Sequence, residues 1–408
     1  MSNITHNNQQ ASALALQEMV NAPGVSVIHY TDDTHAQKTL VAQKPETVIH
    51  QYSPDETLGI HERILKGLAN NKHWVVATTY EWGCAQLGLS TPNARAIFIE
   101  YSDVNILSHP NCNSQTVPPP PVVSPHHGPM ADGLKIRPLW EATTFDAAIA
   151  RAKQGIKEGD IYQLNLSYPL TLTSTHAIQD VYRHMCAQSY PSHGAFIQTN
   201  QWGIASASPE ELFYMNKGRI RTQPIKGTVG RHANPKRDEQ ARQALLSSEK
   251  DHAELLMITD LMRHDVGQLA AMGTVQVPTL CQIQPFHYVY HLVSTITAEL
   301  NPRVNGFDAL RALAPGGSIT GCPKVSACQY IHQIEPFPRG FYTGHIGFIS
   351  PTGEAAFNVA IRTCYQGANG PIKTHTGCGI TIDSNAADEY QESLDKLGFL
   401  SPFTLEKI

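Results

Sequence analysis

"HGAFIQTNQWGIASASPEELFYMNKGRIRTQPIKGT", residues 193–228, carries the reading of the fold. Four short runs rich in apolar, β-branched and aromatic residues follow one another: "HGAFIQTN", "WGIASASP", "ELFYMN" and "RIRTQPIKGT". Helical patterns precede them in "TFDAAIARAKQGIKEGD" (144–160) and "AIQDVYRHMCAQ" (177–188), but none stands between the strands. Without regular β-α-β alternation, the pattern predicts an α+β protein with large antiparallel or mixed sheets rather than a doubly wound parallel one.

Upstream, "KHWVVATTYEWGCAQLGL" (72–89) and "ARAIFIEY" (94–101) read as strands separated by turns, after a helix over about 55–69. The sharpest composition shift is "TVPPPPVVSPHHGP" (116–129), whose prolines favour extended, weakly packed chain. It reads as a linker or long loop, dividing an N-terminal region, 1–137, from a second region, 138–408.

The 408 residues carry a net charge of −5, with no run of like charges. That argues against a general nucleic-acid binder, and an anionic ligand must meet local cations. Eight cysteines without CxxC or zinc-ribbon spacing read as free thiols of a reducing compartment. The start, "MSNITHNNQQASALALQEMV", lacks the charged and apolar regions of a secretory signal, and no stretch is long and apolar enough to span a membrane. The expectation is a cytoplasmic protein. Twenty histidines show no HExxH or comparable spacing, so they read as surface or core residues.

At the end of the opening stretch, Lys226 lies between a proline turn and a glycine. Any single lysine reads first as a solvated surface cation. The sharper reading holds it near a substrate, where partial burial disfavours its charged form and frees the amine to attack carbon.

Two helical segments carry acidic stripes. In "SSEKDHAELLMITDLMRHDVGQ" (247–268), Ser248 can cap a helix that puts Asp251 and Glu254 on one face. In "DSNAADEYQESLDKLGFL" (383–400), Ser384 is a candidate cap, and Glu389, Glu392 and Lys396 form another stripe. Each stripe alone reads as helix-dipole complement or surface pairing. Together, facing one ion, oxygen ligands without Cys or His favour a hard cation, and Mg²⁺ is the candidate.

"APGGSITGCPK" (314–324) has glycines at phosphate-loop spacing, but Cys322 and Pro323 stand where Lys and Ser or Thr are needed, which excludes that loop. It reads equally as a plain helix start or as a carboxylate site on free N–H groups. "HTGCGITIDS" (375–384) places Gly377 and Gly379 at the end of a strand, where a ligand can approach the backbone. "FNVAIRTCY" (357–365) puts Arg362 inside an apolar strand, where it needs an anion, whether ligand or protein carboxylate.

Ten segments in order, "DIYQLNLS", "SASPEEL", "QPIKGTVGR", "EKDHAELLMITDLMRHDVGQ", "VYHLVSTITAEL", "PGGSITGCPK", "GFYTGHIGFIS", "NVAIRTCY", "GCGITIDS" and "DEYQESLDKL", resemble the chorismate-utilising enzymes over about 138–408. "PIKGT" is similar to the branch that forms 4-amino-4-deoxychorismate on the way to 4-aminobenzoate and folate. Anthranilate synthases usually carry Ala at the place of Lys226. Isochorismate synthases have a water-activating lysine at the place of Gln163.

The resemblance implies two large antiparallel sheets packed face to face with outer helices. By residue, it implies Glu210 as general acid for the C4 hydroxyl, Lys226 as nucleophile at C2 and His291 positioning substrate near C4. Gln163, Thr228, Thr320, Tyr342, Arg362, Lys396 and the backbone of Gly377, Cys378 and Gly379 would surround the substrate and hold its carboxylates. Glu254 and Glu392 would ligate Mg²⁺, with Asp251 and Glu389 acting through water.

Some positions depart from the family's pattern: Cys322 and Cys378 replace smaller residues, His264 replaces Asn, and Asp251 replaces a frequent Glu. No motif of a fused glutaminase is present, so ammonia is expected from a separate glutamine amidotransferase subunit, with no fused lyase either. No tryptophan pocket can be placed in residues 1–137, and regulation by tryptophan is not expected. The rival expectations are an anthranilate synthase component I and a catalytically silent homologue that docks and regulates a glutaminase.

Overall fold

The computed structural model describes residues 20–21, 24–109, 133–173, 176–189, 191–286, 289–368 and 370–406. The proline-rich segment 116–129 and residues 1–19 of the N-terminal stretch read for targeting signals lie outside the described residues.

Two large sheets organise the chain. One runs Phe403–Leu405, Leu134–Pro138, Gln163–Leu172, Ile372–Ile380, Thr363–Gly367, Trp202–Ser206, Ala195–Gln198, Ser26–Thr31, Gln37–Ala42, Val104–Ser108. The other runs Ile225–Gly230, Val289–Glu299, Arg219–Gln223, Glu211–Asn216, Ala355–Val359, His345–Ile349, His73–Thr78, Ala96–Tyr101, Thr47–Gln51. The strand pairs are antiparallel, except that Phe403–Leu405 runs parallel to Leu134–Pro138. The α+β architecture expected from the sequence is the one observed.

The strands of residues 193–228 do not stay together. Ala195–Gln198 and Trp202–Ser206 join the first sheet, whereas Glu211–Asn216 and Arg219–Gln223 cross to the second. Between the sheets, Tyr30 of the first packs edge-on against Phe348 of the second at 5.0 Å, and stacks on Tyr214 at 6.2 Å. A fully buried ring such as Phe348 stabilises by about 1.5–3 kcal/mol relative to exposure, so the facing layers carry much of the fold's stability.

Local sequence explains the helices that matter to the site. Ser248 caps Glu249–Gly267 by accepting from the Asp251 N–H, and Leu255, Ile258, Met262 and Val266 bury one face. That helix packs on Ile225–Gly230 and Val289–Glu299, while Ala386–Asp395 packs on Ile372–Ile380. Asn385, rather than Ser384, caps this second helix through the Ala387 and Asp388 N–H groups. Ser384 instead donates to Glu389 Oε1 at 2.7 Å.

"YEWGCAQ" is a helix, Tyr80–Gln86, where the sequence suggested strands and turns. Thr79 Oγ1 accepts from the Trp82 N–H, and the buried Trp82 indole donates to Gln51 Oε1 at 2.9 Å. A side-chain cap and tertiary burial override the β preference of its aromatic residues. A second determinant was not legible in advance: buried Arg339 pairs with Glu335 and donates to the carbonyls of Ile319 (2.9 Å) and Asn165 (2.7 Å). It thereby ties the glycine-rich turn to the strand Gln163–Leu172.

Candidate active site

The site forms where Ile225–Gly230, the outermost strand of one sheet, meets Gln163–Leu172 and Ile372–Ile380 of the other. Register slips between Lys226 and Thr228, and Gly227 fills the slip with φ +69°. A Cβ on Gly227 would lie 2.8 Å from Leu245 Cδ1 and 3.0 Å from Asp251 Cγ. Glycine therefore serves twice, supplying the left-handed bulge and letting the helix of Asp251 pack directly on it.

Lys226 reaches inward from this bulge. Its Nζ stands 3.7 Å from Glu254 Oε2, with only 13% and 10% of the two side chains exposed. Gln163 Nε2 donates to the same Glu254 oxygen at 3.4 Å. From the opposite sheet comes Gly379: a methyl placed there would stand 2.8 Å from Gln163 Nε2, 3.2 Å from Lys226 Nζ and 3.4 Å from Asn165 Oδ1. The missing side chain keeps three polar groups accessible around one point. Asn165 was not singled out from the sequence, although it lies two positions from Gln163 on the same strand face.

Glu210 is buried beneath them. Burial pushes its carboxyl up to about 7, against the pull of the Ser318 hydroxyl, the Lys226 charge, the Ile225 N–H and the Arg362 charge. A carboxyl so placed holds a proton near neutrality and can donate it to a leaving hydroxyl. Ser318 was another group missed from the sequence.

His291 is also buried, and burial together with the Arg362 charge lowers its pKa to about 3, so the ring is neutral. Nδ1 bonds Thr228 Oγ1 at 2.8 Å, while Nε2 has no hydrogen-bond partner among the described residues. An orphaned buried nitrogen costs stability unless a ligand meets it.

Arg362 is not inside a strand, as the sequence suggested. It occupies the bend between Ala355–Val359 and Thr363–Gly367 with φ +51°. Burial lowers its pKa, opposed by Glu210. Among the described residues no hydrogen bond or ion pair holds the guanidinium, which leaves a cation for an anionic ligand.

The structure places the other expected residues as follows. Gly377–Gly379 lie at the end of the strand Ile372–Ile380, as the sequence suggested, in register with Ser167, Leu166 and Asn165. Cys378 is buried and its thiol donates to the Glu389 carbonyl at 3.5 Å. Thr320 commits its hydroxyl to the carbonyls of Gly316 (2.9 Å) and Gly317 (3.2 Å). Tyr342 stacks on His375 at 5.1 Å, and Lys396 pairs with Glu392 at 2.7 Å while donating to the Gly377 carbonyl at 3.1 Å.

The two acidic stripes do come into mutual reach. Burial raises the Glu254 pKa, opposed by Lys226 and Lys250, with Asp251 and Glu389 adding to the rise. Burial also pushes Glu392 upward, but Lys396, Lys250 and Lys226 outweigh it and hold that carboxyl low. Among the described residues, no three His, Cys, Asp or Glu side chains are gathered closely enough to hold an ion as they stand. Even so, the donors suit a hard cation: they are carboxylates, and the buried Glu389 Oε2 has no partner among the described residues.

Comparison with known proteins gives the chain's family. Residues 28–402 match the family model described as chorismate binding enzyme. Aminodeoxychorismate synthase component 1 of Salmonella typhimurium is 41% identical over 273 residues, 66% of this chain and 60% of that protein. Anthranilate synthase component 1 of Lactococcus lactis is 34% identical over 62% of this chain and 55% of that one. The chain thus spans about three fifths of the length of the curated relatives it matches. The crystal structure of anthranilate synthase component I from Streptococcus pneumoniae shares the fold, with a TM-score of 0.73 at 24% identity over 89% of this chain and 92% of that one. With the family's model matched over residues 28–402, well over half of the chain, the chain belongs to the chorismate binding enzymes.

Proposed function

We propose that this chain aminates chorismate at C4, giving 4-amino-4-deoxychorismate with ammonia from a separate glutamine amidotransferase subunit. The observation that carries this reading is the Lys226 amine, held 3.7 Å from Glu254 and facing Gly379, with Glu210 close enough to feel its charge. Relatives named aminodeoxychorismate synthase component 1 support the same choice.

The Lys226 amine adds to C2 of the ring, the double bonds shift, and the C4–O bond breaks. Glu210 gives its proton to the departing hydroxyl, which leaves as water. Ammonia then bonds to C4, the double bonds shift back, the C2–N bond to Lys226 breaks, and the proton shed by ammonia restores the acid. Arg362 takes a substrate carboxylate, and neutral His291 offers Nε2 to the group near C4. Gln163, an amide rather than an amine, does not activate water.

Glu254 and Glu392 would hold Mg²⁺, with Asp251 and Glu389 orienting its water ligands. When bound, that ion supplies charge neutralisation for the ring carboxylate during displacement.

Incubating the protein with chorismate, MgCl₂ and an ammonium salt tests the reading. Aminodeoxychorismate as product supports it, whereas fluorescent anthranilate would transfer the chain to the branch of the Lactococcus relative. No turnover of chorismate even at high ammonia would favour the silent, glutaminase-docking reading suggested by Cys322, Cys378 and His264.

A further inference from the structure

Lys250 lies one turn before Glu254, in the first turn of the helix Glu249–Gly267. A cation there opposes the helix dipole, so local helix energetics do not explain it. Its surroundings do. Lys250 Nζ stands 3.4 Å from Glu389 Oε1 on the facing helix, and the charges of Glu254 and Glu392 attract it as well. One ammonium thus bridges the two helices whose carboxylates are the candidate metal ligands.

The pairing is incomplete in an informative way. Glu389 is 4% exposed, and its Oε1 takes both Ser384 Oγ at 2.7 Å and Lys250. Its Oε2 is buried with no partner among the described residues. Lys250, by contrast, is 53% exposed, so its stem can swing into solvent without disturbing the core. An ammonium supplies one charge and three donors; a divalent ion supplies twice the charge and needs the same carboxylates, Glu254 and Glu392 directly and Glu389 through a water ligand.

We propose that Lys250 is a built-in counter-cation: it holds the Glu254, Glu389 and Glu392 carboxylates together in the metal-free protein, and a divalent ion must displace it to bind. The inference rests on the reading that these carboxylates take Mg²⁺. Lys250 then sets the metal concentration at which the site fills, since every ion bound releases one internal ion pair.

Calorimetric titration of the chorismate-free, full-length protein with MgCl₂, and with MnCl₂ followed by electron paramagnetic resonance, tests this without any turnover. Lys250→Met keeps the stem and removes the charge; it should bind either ion roughly fivefold more tightly, the worth of about one partly exposed ion pair. Its melting temperature without metal should fall below the wild-type value, and the gap should close at saturating Mg²⁺. Lys250→Arg keeps the competing charge and should bind no more tightly than wild type. Equal or weaker Mg²⁺ affinity in Lys250→Met, or a gain in Lys250→Arg, would overturn the inference while leaving the metal site intact. If neither wild type nor variant takes up Mg²⁺ or Mn²⁺ at millimolar concentration, the metal reading itself falls, and this inference with it.

Discussion

Gly379 faces Lys226 so closely that one added methyl would stand 3.2 Å from the amine nitrogen and 2.8 Å from Gln163 Nε2. Both neighbours are the ends of flexible side chains, which can shift at small cost. Gly379→Ala is therefore expected to fold, losing less than about 1 kcal/mol in urea unfolding, yet to slow chorismate turnover on the order of tenfold through misplaced groups. Gly377→Ala makes the contrast, because its methyl would stand 2.1 Å from the Leu166 carbonyl oxygen. That atom is backbone in a paired strand, so this variant should be destabilised, as an unfolding midpoint at lower urea would reveal.

Lys226→Ala removes the proposed nucleophile. Product formation at high ammonia should fall by about a hundredfold or more, with circular dichroism unchanged. Intact-protein mass spectrometry after rapid acid quench adds a direct reading: wild type should carry the mass of chorismate less water, and the variant should not. An adduct of the same mass on the variant would remove Lys226 from the mechanism.

Glu210 makes activity and stability depend on pH in a defined direction. Its carboxyl is pushed up to about 7 by burial, so the acid form is lost, and turnover should decline, as pH rises through 7. For stability, the native state binds this proton more tightly than the unfolded state, whose carboxyl titrates at its ordinary value of 4.5. Stability from this group is thus present below 4.5 and is lost as pH rises through 7, by roughly 3 kcal/mol in all. Glu210→Gln should abolish the alkaline limb of the rate profile and flatten that part of the stability curve. A variant whose unfolding free energy tracks wild type from pH 5 to 8 would count against the assignment.

Arg339 tests the scaffold rather than the chemistry. Its guanidinium pairs with Glu335 at 2.7 Å and lies 4.5 Å from the centre of the Tyr80 ring, almost wholly buried. Arg339→Met leaves the Glu335 charge uncompensated and should cost about 3–5 kcal/mol, measured by urea unfolding. Adding Glu335→Gln should recover part of that loss, since the stranded charge is then gone as well.

What the sequence disclosed was local chemistry repeated along the chain. Successive strands without helices between them were enough to predict α+β sheets, and Ser248 announced its helix by capping position alone. Lys226, Glu254 and Gln163 were singled out separately, and the fold brings them within hydrogen-bonding or ion-pair reach of one another. The misses were relationships, not residues of odd type. Nothing in "SSEKDHA" distinguishes Lys250 from a surface lysine, because its partner Glu389 lies 139 positions away on another helix. Asn165 and Ser318 looked like ordinary polar residues until a neighbouring strand and the glycine-rich turn placed them beside Gly379 and Glu210. Arg362 was misread because its apolar neighbours imitate a strand, whereas the backbone turns there with positive φ.

Interleaved strand order has a consequence for synthesis. Ser26–Thr31 hydrogen-bonds with Ala195–Gln198, His73–Thr78 with His345–Ile349, and Gln163–Leu172 with Ile372–Ile380. A nascent chain leaving the ribosome therefore holds early strands whose partners are translated hundreds of codons later, with unsatisfied edges exposed meanwhile. The candidate site is among the last features to close, and chaperone dependence during translation should be felt most by the earliest strands.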